Sequence, residues 1–109
     1  MEKQAKTLKE LQASILEIDN RRRSEDLTNA EREVLELTAV ALRDAERIAI
    51  ATLQKQLIKD MEAQTAALNA RAKVIRAKVT QMNKTPKVLN SIELVIKIAV
   101  KIVAAVAKW

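Results

Sequence analysis

Apolar residues open the chain at Leu8, Leu11, Ile15 and Ile18, in alternating steps of three and four. Such steps put side chains on one stripe of an α-helix, the a/d seam of a helix that packs on a neighbour. The seam reaches Arg22 and stops, and Arg21, Arg22 and Arg23 stand where cations complement the negative end of a helix dipole. A first helix over about residues 2–24 is predicted. Ser, Asp, Thr and Asn then cluster between Ser24 and Asn29, and Thr28 stands three residues before Glu31, the spacing of a capping box. No Gly or Pro enforces this break, so one uninterrupted helix over residues 2–82 is the alternative.

From about Asn29 to Met82 no helix breaker occurs, and Ala, Leu, Glu, Lys, Arg and Gln, the strong helix formers, dominate. Leu42, Ile50, Leu53, Leu57, Met61, Leu68, Ala72, Ile75 and Val79 form its stripe, interrupted by Glu46 and Gln64. The period near 3.67 suits a nearly straight helix better than strict heptads. A second helix over about residues 29–83 is therefore predicted, roughly 80 Å long at 1.5 Å per residue. Its many Ala residues, among them Ala41, Ala45, Ala49, Ala66, Ala67 and Ala70, either admit close helix packing or supply helix propensity alone.

Thr85-Pro86 combines an N-cap residue with Pro at the first helical position, and Pro pushes Thr85 out of the α region. A third helix over about residues 86–109 is expected. Its nine Val, Ile and Leu residues from Ile92 to Val106 surround only Glu93, Lys97, Lys101 and Lys108, whose charges fall with Asn90 in a strip roughly 80° wide. The remaining apolar arc exceeds the stripe of about 100° that one packed neighbour needs. A lone membrane span is excluded by magnitude. Each Val, Ile or Leu contributes roughly 0.3–0.6 kcal/mol, whereas Lys97 and Lys101 near the centre cost roughly 2.5–3.5 kcal/mol each. The segment from Ile92 to Ile102 also alternates at period two, so a strand is the competing reading.

The fold class expected is all-α, an elongated helical rod or bundle, with the very long central helix flanked by a shorter N-terminal helix and a strongly apolar C-terminal one. Residues 1–109 form a single helical domain in this reading. The composition agrees, since the chain has no Gly, one Pro and a single aromatic residue, Trp109, leaving few turns and a core of aliphatic side chains.

Charge adds a direction. Of the net +6, residues 61–109 carry nine Lys or Arg against Glu62 and Glu93 alone, so the excess lies in the C-terminal half and points to an anionic partner. The chain has no His, Cys or Tyr, no Gly-rich phosphate loop and no zinc-ligand set. Catalysis near neutral pH has no ready group, so no enzyme, no cofactor, no metal and no small-molecule substrate are expected. Met1 to Lys6 has no apolar stretch behind its charges, which reads as a chain without a cleavable signal peptide. It is cytoplasmic at synthesis in that reading, with membrane association or export by another route left open.

Self-association into a homo-oligomer is the leading expectation, through Leu8, Leu11, Ile15, Ile18, Leu42, Leu53, Leu57, Met61, Leu68, Ile75 and Val79, because a two-helix rod leaves half of each stripe bare. The alternative is a membrane-active protein, pore-forming or membrane-docking, that meets anionic lipid with Ile92, Val95, Ile96, Val103, Val106, Lys97, Lys101, Lys108 and Trp109. Third stands sequence-blind nucleic-acid binding through Arg71, Lys73, Arg76, Lys78, Lys84 and Lys87, a basic set without stacking aromatics.

Overall fold

The computed structural model of the chain describes residues 2–23, 27–55, 60–83 and 90–108. Among these the backbone forms α1 (Glu2–Arg22), α2 (Asn29–Leu53), α3 (Met61–Asn83) and α4 (Asn90–Ala107), with no strand. The all-α expectation is met, and the C-terminal segment is helix rather than strand.

The last turn of α1 is lined by ion pairs of its own, Glu17 with Arg21 at 3.2 Å and Asp19 with Arg22 at 3.4 Å. Beyond it, the expected capping box opens α2. Thr28 is extended (φ −71°, ψ 163°), its hydroxyl oxygen accepts the Glu31 N–H at 3.1 Å, and Glu31 Oε1 accepts the Thr28 N–H at 3.0 Å. Two of the orphan donors of the helix start are thereby satisfied. The single helix over residues 2–82 is thus excluded at Leu27 and Thr28, which are not helical. The expected break at Lys84 to Pro86 lies outside the described residues.

The very long central helix is corrected by the structure. Where one helix over 29–83 was expected, α2 ends at Leu53 and α3 begins at Met61. The Gln54 N–H still reaches the Ile50 carbonyl at 3.0 Å, and the Lys55 N–H reaches Thr52 at 3.1 Å. Then Lys55 (φ 55°) and Asp60 (φ 60°) enter the left-handed region, which ends the helical path on either side of residues 56–59. The reason is energetic. Each left-handed residue costs about 1–2 kcal/mol, whereas turning back lets Leu68, Ile75 and Val79 bury to 3% exposure or less, worth roughly 1.5–3 kcal/mol apiece. The rod of roughly 80 Å is replaced by a body of 45 × 23 × 19 Å.

The four helices close into a bundle in which α1 touches α2 and α4, α3 touches α2 and α4, and α2 and α4 meet across the diagonal; among the described residues α1 and α3 do not touch. Leu11 and Ile18 of α1, Leu35, Leu42 and Ile48 of α2, Leu68 and Ile75 of α3, and Ile96, Val103 and Val106 of α4 fill the interior. Alanine has two roles here. In α2, Ala41, Ala45 and Ala49 are wholly buried and bring helix backbones close, while in α3 Ala66, Ala67 and Ala70 face outward. Thr38, also fully buried, donates its hydroxyl to the Val34 carbonyl at 2.7 Å.

Candidate interaction surfaces

The residues marked by the sequence as interaction elements are used largely inside one chain. Leu11, Ile15, Ile18, Leu42, Leu68, Ile75 and Val79 belong to the core, Leu8 and Met61 pack against it, and Leu53 is half-buried. Leu57 lies outside the described residues. On α4, Ile96, Val103 and Val106 are fully buried and Val95 is half-buried, whereas Lys97, Lys101 and Lys108 are exposed. The side chains of Ile92 and Trp109 lie outside the description. Three neighbours, α1, α2 and α3, cover much of the wide apolar arc of α4 where a rod would offer one, and leave Leu94 and Ile98 exposed.

What remains outside is a smaller apolar set. Val40, Val74, Leu94 and Ile98 are 47–60% exposed, and Leu16 on α1 is 68% exposed. Four of these five cluster on two surfaces that share α3.

Along the α2–α3 edge, Leu37, Ala70, Val74 and Ile75 line a shallow groove of about 230 Å³ with Arg71. Val40 lies one turn along α2 from Leu37, on the same side of the helix. Ion pairs close this edge at both ends, Glu33 with Lys78 at 2.6 Å and Asp44 with Arg71 at 3.5 Å. They also show that the two helices run antiparallel, since the earlier acid pairs with the later base. The α3 positions facing out beside the groove are small, with Ala63, Ala66, Ala67, Ala70 and Ala77 all exposed.

Between α3 and α4 lies a second groove of about 370 Å³, floored by Val79 and Val100 and walled by Leu94 and Ile98. Arg76, Lys97 and Lys101 rim it. Lys97 bonds Glu93 at 2.7 Å. Arg76 and Lys101 have no acidic partner among the described residues.

A third concavity of about 330 Å³, near the α1–α2 connection, mixes Asp19 and Glu36 with Arg22, Arg23 and Arg32. Its charges oppose one another, and Asp19 binds both Arg22 and, at 2.8 Å, Arg43. Of the basic set read as a phosphate contact, Arg71 and Lys78 are held by α2 acids, Lys73 and Arg76 are exposed, and Lys84 and Lys87 lie outside the described residues. Among the described residues no group of three acidic side chains is placed to hold a metal ion, and no helix is long and apolar enough to cross a membrane. No family model, no curated protein and no solved structure matches the chain.

Proposed function

We propose that this protein is a non-enzymatic helical assembly protein whose copies associate through the outer α2–α3 edge. The a/d residues first read as the interface serve the fold of each copy, and the association surface moves to what the bundle leaves bare. The observation that carries this reading is Val40 and Val74, each about half exposed, on an edge flanked by the Glu33–Lys78 and Asp44–Arg71 pairs made within the chain. Such a strip asks for an apolar partner, with the exposed Lys73 at its margin. A two-fold axis laid across Ala70 sets Ala63 against Ala77 and Ala66 against Val74, so two α3 helices can approach closely in antiparallel fashion. Small residues at such a seam allow short interaxial distances.

Sedimentation equilibrium tests the reading. Mass should rise with concentration for the native chain, and Val74→Glu should hold the protein as a monomer while its helical circular dichroism is kept. Leu16→Glu, at an exposed apolar position on α1, serves as the control and should leave the association unchanged. A native chain that stays monomeric up to millimolar concentration would remove this function.

A further inference from the structure

Leu94, Lys97, Ile98 and Lys101 recur at i, i+3, i+4 and i+7, all exposed, on the face of α4 turned to the second groove. Leu94 is 60% and Ile98 48% exposed, while Val79 and Val100 beneath them are each 3% exposed. The surface is therefore a trough with an aliphatic lining. Its volume of about 370 Å³ falls at the lower end of small-molecule sites, about 300–1,000 Å³. The rim carries Arg76 and Lys101 without acidic partners among the described residues, and Lys97 shares its charge with Glu93. Glu62, the single acid of α3, lies fourteen residues before Arg76, roughly 20 Å along the helix axis. The Thr80 hydroxyl donates to the Arg76 carbonyl at 2.9 Å, which leaves polar recognition in the trough to the cations.

We infer that the α3–α4 groove binds one single-chain anionic amphiphile, an acyl chain ending in a carboxylate, with the chain over Val79, Leu94, Ile98 and Val100 and the head between Arg76 and Lys101. Each half of the site excludes the other obvious occupants. A neutral oil would cover the rim and desolvate two cations without a partner. A phosphate backbone would satisfy the cations and leave Leu94 and Ile98 in water. A bilayer is met by a protruding apolar face, and here the deepest apolar residues sit below the wall. The groove is assigned binding alone: its lining carries no His, Cys, Asp or Glu, and its Thr80 hydroxyl is engaged with the Arg76 carbonyl. The site is read on a different edge from the one assigned to self-association and stands independently of it.

The test uses the full chain and dodecanoate below its micellar concentration, followed by calorimetry and by backbone amide shifts. Saturable binding of one dodecanoate per chain is expected, with the largest shifts at Leu94, Ile98 and Val100. Dodecyl maltoside, with the same chain and a neutral head, should bind about tenfold more weakly. Joint Arg76→Gln and Lys101→Gln should weaken dodecanoate about tenfold and leave the maltoside nearly unchanged. Ile98→Gln, at a half-exposed position the fold tolerates, should weaken both ligands, with circular dichroism confirming an intact bundle. Equal affinity for the two heads, indifference to the Arg76 and Lys101 changes, or binding to phosphatidylglycerol vesicles with none to dissolved dodecanoate would each overturn the assignment, the last in favour of a membrane surface.

Discussion

The two edges of α3 are built from the same helix and differ in what α2 and α4 set against them. On the α2 side, Asp44 and Glu33 reach Arg71 and Lys78, so these two cations are paired within the chain and the groove between them is apolar. On the α4 side the facing helix offers Lys97 and Lys101 with only Glu93 among its acids, and the cations of α3 and α4 accumulate around an aliphatic trough. The charge of a helix taken alone therefore says little about its partners. The +3 of α3, from Arg71, Lys73, Arg76 and Lys78 against Glu62, is divided between an edge where Arg71 and Lys78 pair with α2 acids and one where Arg76 rims an aliphatic trough.

The comparison can be broken most severely at the core residues that hold both edges in place. Ile75 lies at the base of the α2–α3 groove and is 1% exposed. Ile75→Ala should cost about 2–5 kcal/mol in denaturant unfolding and degrade both edges at once. Its neighbour Val74, half exposed, should tolerate Ala within about 0.5 kcal/mol. Equal costs at the two positions would mean that α3 is rotated from the orientation described.

A smaller effect separates the edges themselves. Val74→Glu should weaken self-association by about tenfold or more, because a carboxylate would be buried at the seam without a partner. The same change on the other edge, Ile98→Glu, should leave self-association unaltered, as read by light scattering across a dilution series. Loss of association in both variants would merge the two surfaces into one.

Least affected should be the stability contributed by the rim charges. The Lys78–Glu33 pair is partly exposed, so Lys78→Gln should cost no more than about 1 kcal/mol, and less as salt is raised. Lys101 is exposed and unpaired among the described residues, so Lys101→Gln should leave thermal unfolding within about 0.5 kcal/mol of the native chain. A larger cost at Lys101 than at Lys78 would reverse the contrast between the edges.

Much of the fold was legible where local chemistry decided it. The Leu8, Leu11, Ile15 and Ile18 seam and the Thr28–Glu31 capping box can be read from spacing and residue type, whereas the C-terminal segment fits helix and strand periods alike and is helix in the structure. The reversal between α2 and α3 could not be read that way. Gln54 to Asp60 holds no Gly, no Pro and several good helix formers, so local propensity favours continuation. The turn is imposed by burial of α3 against α2 and α4, a long-range term that no short window contains. The same long-range packing buries most of the stripe residues within one chain. A two-helix rod leaves each stripe half bare, whereas the bundle consumes most of the stripes and leaves Val40 and Val74, off the central stripe, and Leu94 and Ile98, at the margin of the α4 arc, outside. An inspection of apolar positions falling off the central stripe would have found Val40 and Val74.

The central claim, that copies meet through the α2–α3 edge and leave the α3–α4 trough free, is tested most directly by amide chemical shifts followed on dilution of the native chain. Shifts that move with concentration should map to Leu37, Val40, Ala70 and Val74, while those of Leu94, Ile98 and Lys101 stay fixed. Concentration-dependent shifts confined to Leu94, Ile98 and Lys101, or absent from the whole spectrum, would contradict it.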